Sequence, residues 1–67
     1  MMFEYGDEVQ LTDDALSYYQ DADPSLWNLG GFSLTVIGVD EDSPQTVDVE
    51  TDDGECFTFY EFELEFA

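Results

Sequence analysis

The pattern of apolar and polar positions has period two over most of the chain. Thr46-Val47-Asp48-Val49-Glu50-Thr51 sets Val47, Val49 and Thr51 on one face of an extended segment and Asp48 and Glu50 on the other. Successive strand residues point to opposite sides, so this alternation predicts a strand with one face buried. Asp53-Gly54 is a hairpin signal, and Glu55-Cys56-Phe57-Thr58-Phe59-Tyr60 returns with Phe57 and Phe59 inward. Near the start, Phe3-Glu4-Tyr5 runs into Gly6-Asp7-Glu8-Val9-Gln10-Leu11, a first strand with Val9 and Leu11 inward. Residues 32–39 (FSLTVIGV) form the strongest strand, whose inward set switches at Val36-Ile37. With Gly38 beside the switch, a bulge or bend is expected. The tail, Glu61-Phe62-Glu63-Leu64-Glu65-Phe66, predicts a last strand with Phe62, Leu64 and Phe66 packed and three glutamates outward.

The period breaks after the first strand. Thr12 is a good N-cap, and Asp13 and Asp14 complement the positive end of a helix. A short helical turn near residues 13–19 is therefore expected. Residues 20–31 (QDADPSLWNLGG) read as a loop and residues 40–45 as an acidic turn. Together these elements predict a single domain, 1–67, mainly β, with its short strands curled into a compact barrel that limits exposed edges.

Composition decides whether such a pattern can fold. The chain has 67 residues, 43% hydrophobic and 16% aromatic, which supplies enough apolar surface for one small core. Charge changes the picture more. There are 18 Asp and Glu and no Lys, Arg or His, for a formal charge of −18. No side chain can neutralise phosphates, so direct binding to DNA, RNA or an anionic membrane face is excluded. Without histidine there is no imidazole base or ligand, and without lysine no phosphate-loop cation and no Schiff base. Cys56 has no second cysteine for an internal disulfide, which suits a reducing cytoplasm. No basic leader precedes an apolar run, and no apolar stretch is long enough to span a bilayer.

The order of segments resembles a known fold. Gly6-Asp7-Glu8-Val9-Gln10-Leu11, then Gly31-Phe32-Ser33-Leu34-Thr35-Val36, then Val47-Asp48-Val49 with Asp53-Gly54, then Glu63-Leu64, is similar to the small SH3-like barrels of the KOW and related type. The resemblance covers nearly the whole chain. It implies a five-stranded SH3-like barrel, with residues 12–30 standing where such domains carry a long first loop. Nucleic-acid-binding members of that group use basic and aromatic faces, and this chain departs from them in having no basic residue.

Several constellations invite chemistry. Asp7-Glu8, Asp13-Asp14 and Asp52-Asp53 are carboxylate pairs, but acid–base catalysis needs a cleft with a substrate-binding shell, for which so short a chain leaves little room. No enzyme activity and no cofactor are expected. Residues 48–54 (DVETDDG) place acids at the first, third and fifth positions of a calcium loop. The sixth position holds Asp53 instead of glycine and the twelfth holds Phe59 instead of glutamate, so no metal site is assigned. Asp21/Asp23 and Asp40/Asp42 fail similarly. Cys56 has no cation beside it to favour a thiolate and reads as a small, partly buried hydrophobe. Tyr18, Tyr19 and Trp27 cap one end of the barrel or anchor an interface.

The uncompensated charge calls for a cause other than solubility, for which a modest net charge suffices. A basic partner is the simplest, and the commonest basic surfaces in a cell bind nucleic acid. DNA carries one negative charge per roughly 1.7 Å of helix axis. A strand with an acid at alternate positions carries one carboxylate per about 6.6 Å. The rows Asp48/Glu50/Asp52 and Glu61/Glu63/Glu65, with Asp40, Glu41 and Asp42 in the turn, predict a two-dimensional array of phosphate-like charges. With Asp53 and Trp27, these are the expected partner-contact residues. In composition and size the chain resembles the small DNA-mimic inhibitors of bacteriophages and mobile elements, which block restriction enzymes, CRISPR effector complexes, DNA-repair glycosylases or nucleoid proteins. That resemblance implies a decoy for a basic nucleic-acid-binding protein, acting in the host bacterial cytoplasm. The alternative is an SH3-like module that recruits a basic partner without displacing nucleic acid. Adaptation to high salt is a third cause of acidity, but chains so adapted keep some basic residues.

Overall fold

The computed structural model describes residues 3–42 and 45–67. Five antiparallel strands form one sheet: β1 (Glu8–Leu11), β2 (Leu34–Asp40), β3 (Thr46–Glu50), β4 (Cys56–Tyr60) and β5 (Leu64–Phe66). Their order is β4-β3-β2-β1-β5. The chain meanders through four strands, and β5 returns beside β1, pairing Leu11 with Leu64 and Val9 with Phe66. This is the mainly β, five-stranded fold that the sequence predicts; β4 and β5 do not pair with each other, so the sheet keeps two edges that the expected barrel was to limit.

The alternation of β3 works as expected. Val47 and Val49 are buried, Asp48 and Glu50 face out, and β4 lays Phe59 and Phe57 across from the two valines. The hairpin closes where Thr51 N–H donates to the Glu55 carbonyl and Gly54 N–H to the Thr51 carbonyl, with Gly54 at φ +89. That dihedral lies in the region where only glycine is free of strain, which fixes the turn at Asp53-Gly54. The bulge also falls where expected. Val36 pairs with Val49, but Gly38 pairs with Asp48, so Ile37 is the extra residue. The slip hands the inward role from Leu34 and Val36 to Val39.

The core contains Phe3, Val9, Leu11, Ala15, Leu34, Val36, Val47, Val49, Phe59 and Leu64. It lies between the inner face of the sheet and the helical connection. Helix α1 (Asp13–Ala22) outruns the turn expected over 13–19. Thr12 caps it by accepting from Ala15 N–H at 3.1 Å, and Ala15, Leu16 and Tyr19 face the core. A second helix, α2 (Pro24–Trp27), occupies part of the stretch expected to be loop. Asp23 accepts from Ser25 N–H at 3.2 Å and Ser25 Oγ at 2.6 Å, and Pro24 supplies a preset φ at the first helical position.

The tail departs most from expectation. Glu61–Glu63 is a 3-10 helix, and only Leu64–Phe66 is strand. The three-residue turn reverses the alternation. Phe62, expected to pack, is 75% exposed, and Glu63, expected to face out, is only 8% exposed. Leu64 is buried as expected, whereas Phe66 is half-exposed, its ring edge-on to Phe3 at 5.0 Å. The first strand is shorter than expected, and Phe32 and Ser33 precede β2 instead of opening it. The acidic turn over 40–45 is described in part, since Ser43 and Pro44 lie outside the described residues.

Candidate functional site

Two surfaces stand out, and strand geometry builds the first. Asp48 and Glu50 project from the outer face of β3, about 6.6 Å apart along the strand. Across the sheet, Glu50 pairs with Thr35, and Thr35 with Glu8. Two carboxylates thus flank one threonine in a single cross-strand row. The next strand pair adds Glu65 opposite Gln10. Asp40 closes the far end of β2, opposite Thr46. Between the acids lie small residues, Thr35, Gly38, Cys56 and Thr58; Cys56, expected to be partly buried, is exposed because it pairs with Glu50 on the outer face. A Cβ at Gly38 would sit 3.3 Å from Asp48 Oδ2, so glycine leaves this carboxylate its room.

Among the described residues, the hydrogen-bond donors to these surface carboxylates are neutral hydroxyls and amides. Thr58 Oγ donates to Asp48 at 2.6 Å, Gln10 Nε2 to Glu65 at 2.8 Å and Ser33 Oγ to Glu8 at 3.2 Å. In the turns, Thr51 donates to Asp53, and Asp42 N–H to Asp40 at 3.0 Å. Hydroxyls and amides orient these carboxylates without cancelling their charge.

Most expected contact residues lie on this surface or its rim. Asp40, Glu41, Asp42, Asp48, Asp52, Asp53 and Glu65 are exposed, and Glu50 and Glu61 are half-buried. Two calls differ. Glu63 does not join a row with Glu61 and Glu65, because the 3-10 helix turns it inward. There it accepts from the Tyr19 hydroxyl and from Tyr60 N–H at 2.9 Å. Its backbone carbonyl also accepts from Thr12 N–H, so Glu63 pins α1 to the end of β4. Trp27 is 43% exposed on α2, apart from the strand rows.

The second surface is a groove of about 630 Å³ between α1 and the 3-10 helix. Tyr18, Tyr60 and Phe62 form its exposed walls, Ala15 and Glu63 its floor, and Asp14 its rim. The Tyr60 and Phe62 rings stack at 5.3 Å with a 6° interplanar angle. Tyr19 packs edge-on against both Tyr18 and Phe59. Burial, then its hydrogen bond to Glu63 and the charge of that carboxylate, push the Tyr19 phenol well above its ordinary value of 10.0. It therefore stays protonated and donating. Of the aromatics singled out from sequence, Tyr18 lines the groove openly and Tyr19 supports it, whereas Trp27 does not line it. Tyr60 and Phe62 were missed. A strand phase held through the tail hides Phe62, and only the 3-10 helix exposes it.

Among the described residues, no group of three or more Cys, Asp or Glu is placed to hold a metal ion, and no helix is long and apolar enough to cross a membrane. No protein-family model, no curated protein and no solved structure matches this chain.

Proposed function

We propose that this protein is an acidic decoy that occupies the nucleic-acid-binding surface of a basic protein, by binding and without catalysis. One observation carries the proposal: 18 acidic side chains on a folded β scaffold with no cationic side chain among them. An approaching Lys or Arg meets acids held by hydroxyls and amides, with their charge intact. Arginine grips carboxylate and phosphate with the same two-pronged geometry, so a surface built for a polynucleotide accepts this one. Long-range attraction speeds the encounter and makes it sensitive to salt. The chain resembles phage-encoded inhibitors of restriction or CRISPR complexes in this respect, and the host bacterial cytoplasm is the setting that fits.

The test is competition. Proteins retained from a bacterial lysate at low salt are challenged with duplex DNA and, separately, with rising salt. The expected partner is released by both, with affinity falling more than about tenfold between about 50 and 200 mM salt. A partner that stays bound while it also holds DNA refutes the decoy.

The groove favours a second reading: an interaction module that recruits a basic segment and leaves nucleic acid in place. Tyr18, Tyr60 and Phe62 offer flat rings beside Asp14, a combination that suits a guanidinium or ammonium group. In that case DNA and this protein bind the partner together.

A further inference from the structure

We infer that the free edge of β4 receives an extended, basic strand from the partner, adding a sixth strand to the sheet. The proposal rests on the partner's being basic, not on its gripping nucleic acid.

The edge is defined by the hydrogen bonds that bracket the β3–β4 ladder. Thr51 N–H donates to the Glu55 carbonyl at 2.8 Å, and Glu61 N–H to the Gln45 carbonyl at 3.0 Å. Hydrogen-bonded pairs alternate along an antiparallel ladder, so Phe57 and Phe59 face β3 with their backbone groups. Cys56, Thr58 and Tyr60 direct theirs to the opposite side. Tyr60 N–H is taken by Glu63 Oε1. Among the described residues, the backbone N–H and C=O of Cys56 and Thr58 have no backbone partner, and no strand lies beyond β4.

Natural sheets blunt such edges with charges, proline or very short strands. The other edge, β5, is three residues long and carries Glu65. β4 spans five residues, CFTFY, and is the one strand with no acid in a chain otherwise crowded with them. The missing protection falls where a ladder stands open.

The neighbours of the edge specify the guest. On the outer face, only Cys56, Thr58 and Tyr60 separate an added strand from Asp48 and Glu50, a span that an arginine side chain crosses. On the inner face the half-buried ring of Phe57 offers apolar cover. A strand alternating basic and small apolar residues satisfies both faces, with backbone hydrogen bonds supplying register. A second copy of this chain brings the same −18 charge and is repelled.

The experiment uses two synthetic peptides: arginine alternating with valine, and the same sequence N-methylated at alternate backbone nitrogens. Both carry identical charge, but the methylated one cannot pair with an edge. The unmodified peptide should bind about tenfold tighter at low salt and slow hydrogen exchange at the Cys56 and Thr58 amides by at least a similar factor. Thr58→Pro should abolish that preference while keeping the fold, because the N–H it removes points away from β3. The exchange measurement needs no variant and stands if Thr58→Pro does not fold. Equal binding of the two peptides, or protection confined to other segments, overturns the proposal while leaving the decoy reading intact. A dimer sealed along β4 also overturns it, giving the edge to a second copy. If neither peptide binds at low salt, the basic-partner premise falls as well.

Discussion

The outer face of the sheet and the groove beside α1 are made from the same short chain by opposite means. On the sheet, carboxylates stand on a rigid ladder, spaced by small residues, with hydroxyl and amide donors holding their geometry. In the groove, rings supply the surface and the carboxylates are few, Asp14 at the rim and Glu63 on the floor. The sheet sorts partners by charge over distance, and the groove sorts them by fit at contact. The difference separates the two functional readings: a decoy relies on the first surface, a recruiting module on the second.

The largest expected effect is on binding. Asp48→Lys with Glu50→Lys should weaken partner binding by about 100-fold or more, since each replacement turns an attraction into a repulsion. Tyr18→Ala with Phe62→Ala should cost little beside it. The opposite ranking, measured by calorimetric titration against the captured partner, moves the site to the groove. Stability gives the next comparison. Glu63→Ala should destabilise the fold by about 2–3 kcal/mol in urea titration, because it strands the Tyr60 amide and the Tyr19 hydroxyl at the seam of α1 and β4. Glu65→Ala, two residues on and exposed, should shift it by about 0.5 kcal/mol or less.

Tyr19 adds a pH test with a definite sign. Its phenol titrates higher folded than unfolded, so its contribution is complete below pH 10.0 and declines as pH rises from there through the folded value. Tyr19→Phe should therefore be less stable than wild type at neutral pH, with the gap narrowing in alkaline melts. A constant gap would show that the phenol titrates alike in both states. The smallest effect is general: added salt should raise the melting temperature by on the order of a few degrees as carboxylate repulsion is screened. Folding that occurs only in very concentrated salt would favour the halophilic explanation instead.

Where local chemistry decides the structure, the sequence is a good guide. Alternation over 46–50 and 56–60, Asp53-Gly54 at the turn and Gly38 beside a change of phase yield the hairpin and bulge as found. Thr12 marks the start of α1 correctly, and Asp23-Pro24-Ser25 carries a capping signal for α2 that composition disguises as loop. The tail fails for a different reason. Alternating glutamate and aromatic residues fit a strand, but the 3-10 turn swings Glu63 inward, onto a hydroxyl on Tyr19 that is far away in sequence. Periodicity holds no record of that donor. The groove was missed with it, because Tyr60 and Phe62 come together only through the same turn. Phe3, ahead of β1, is fully packed because Phe66 on β5 closes over it, another contact between the chain's two ends.

The neutral donors on the carboxylates carry one more consequence. With no ammonium or guanidinium side chain, the molecule is neutralised chiefly by small ions gathered loosely from the surrounding electrolyte. Docking on the proposed basic partner would exchange a cloud of mobile potassium or sodium for fixed side chains, and the entropy of the departing ions would help drive it. For a decoy of this kind, the ionic composition of its surroundings would be an unwritten part of the binding surface.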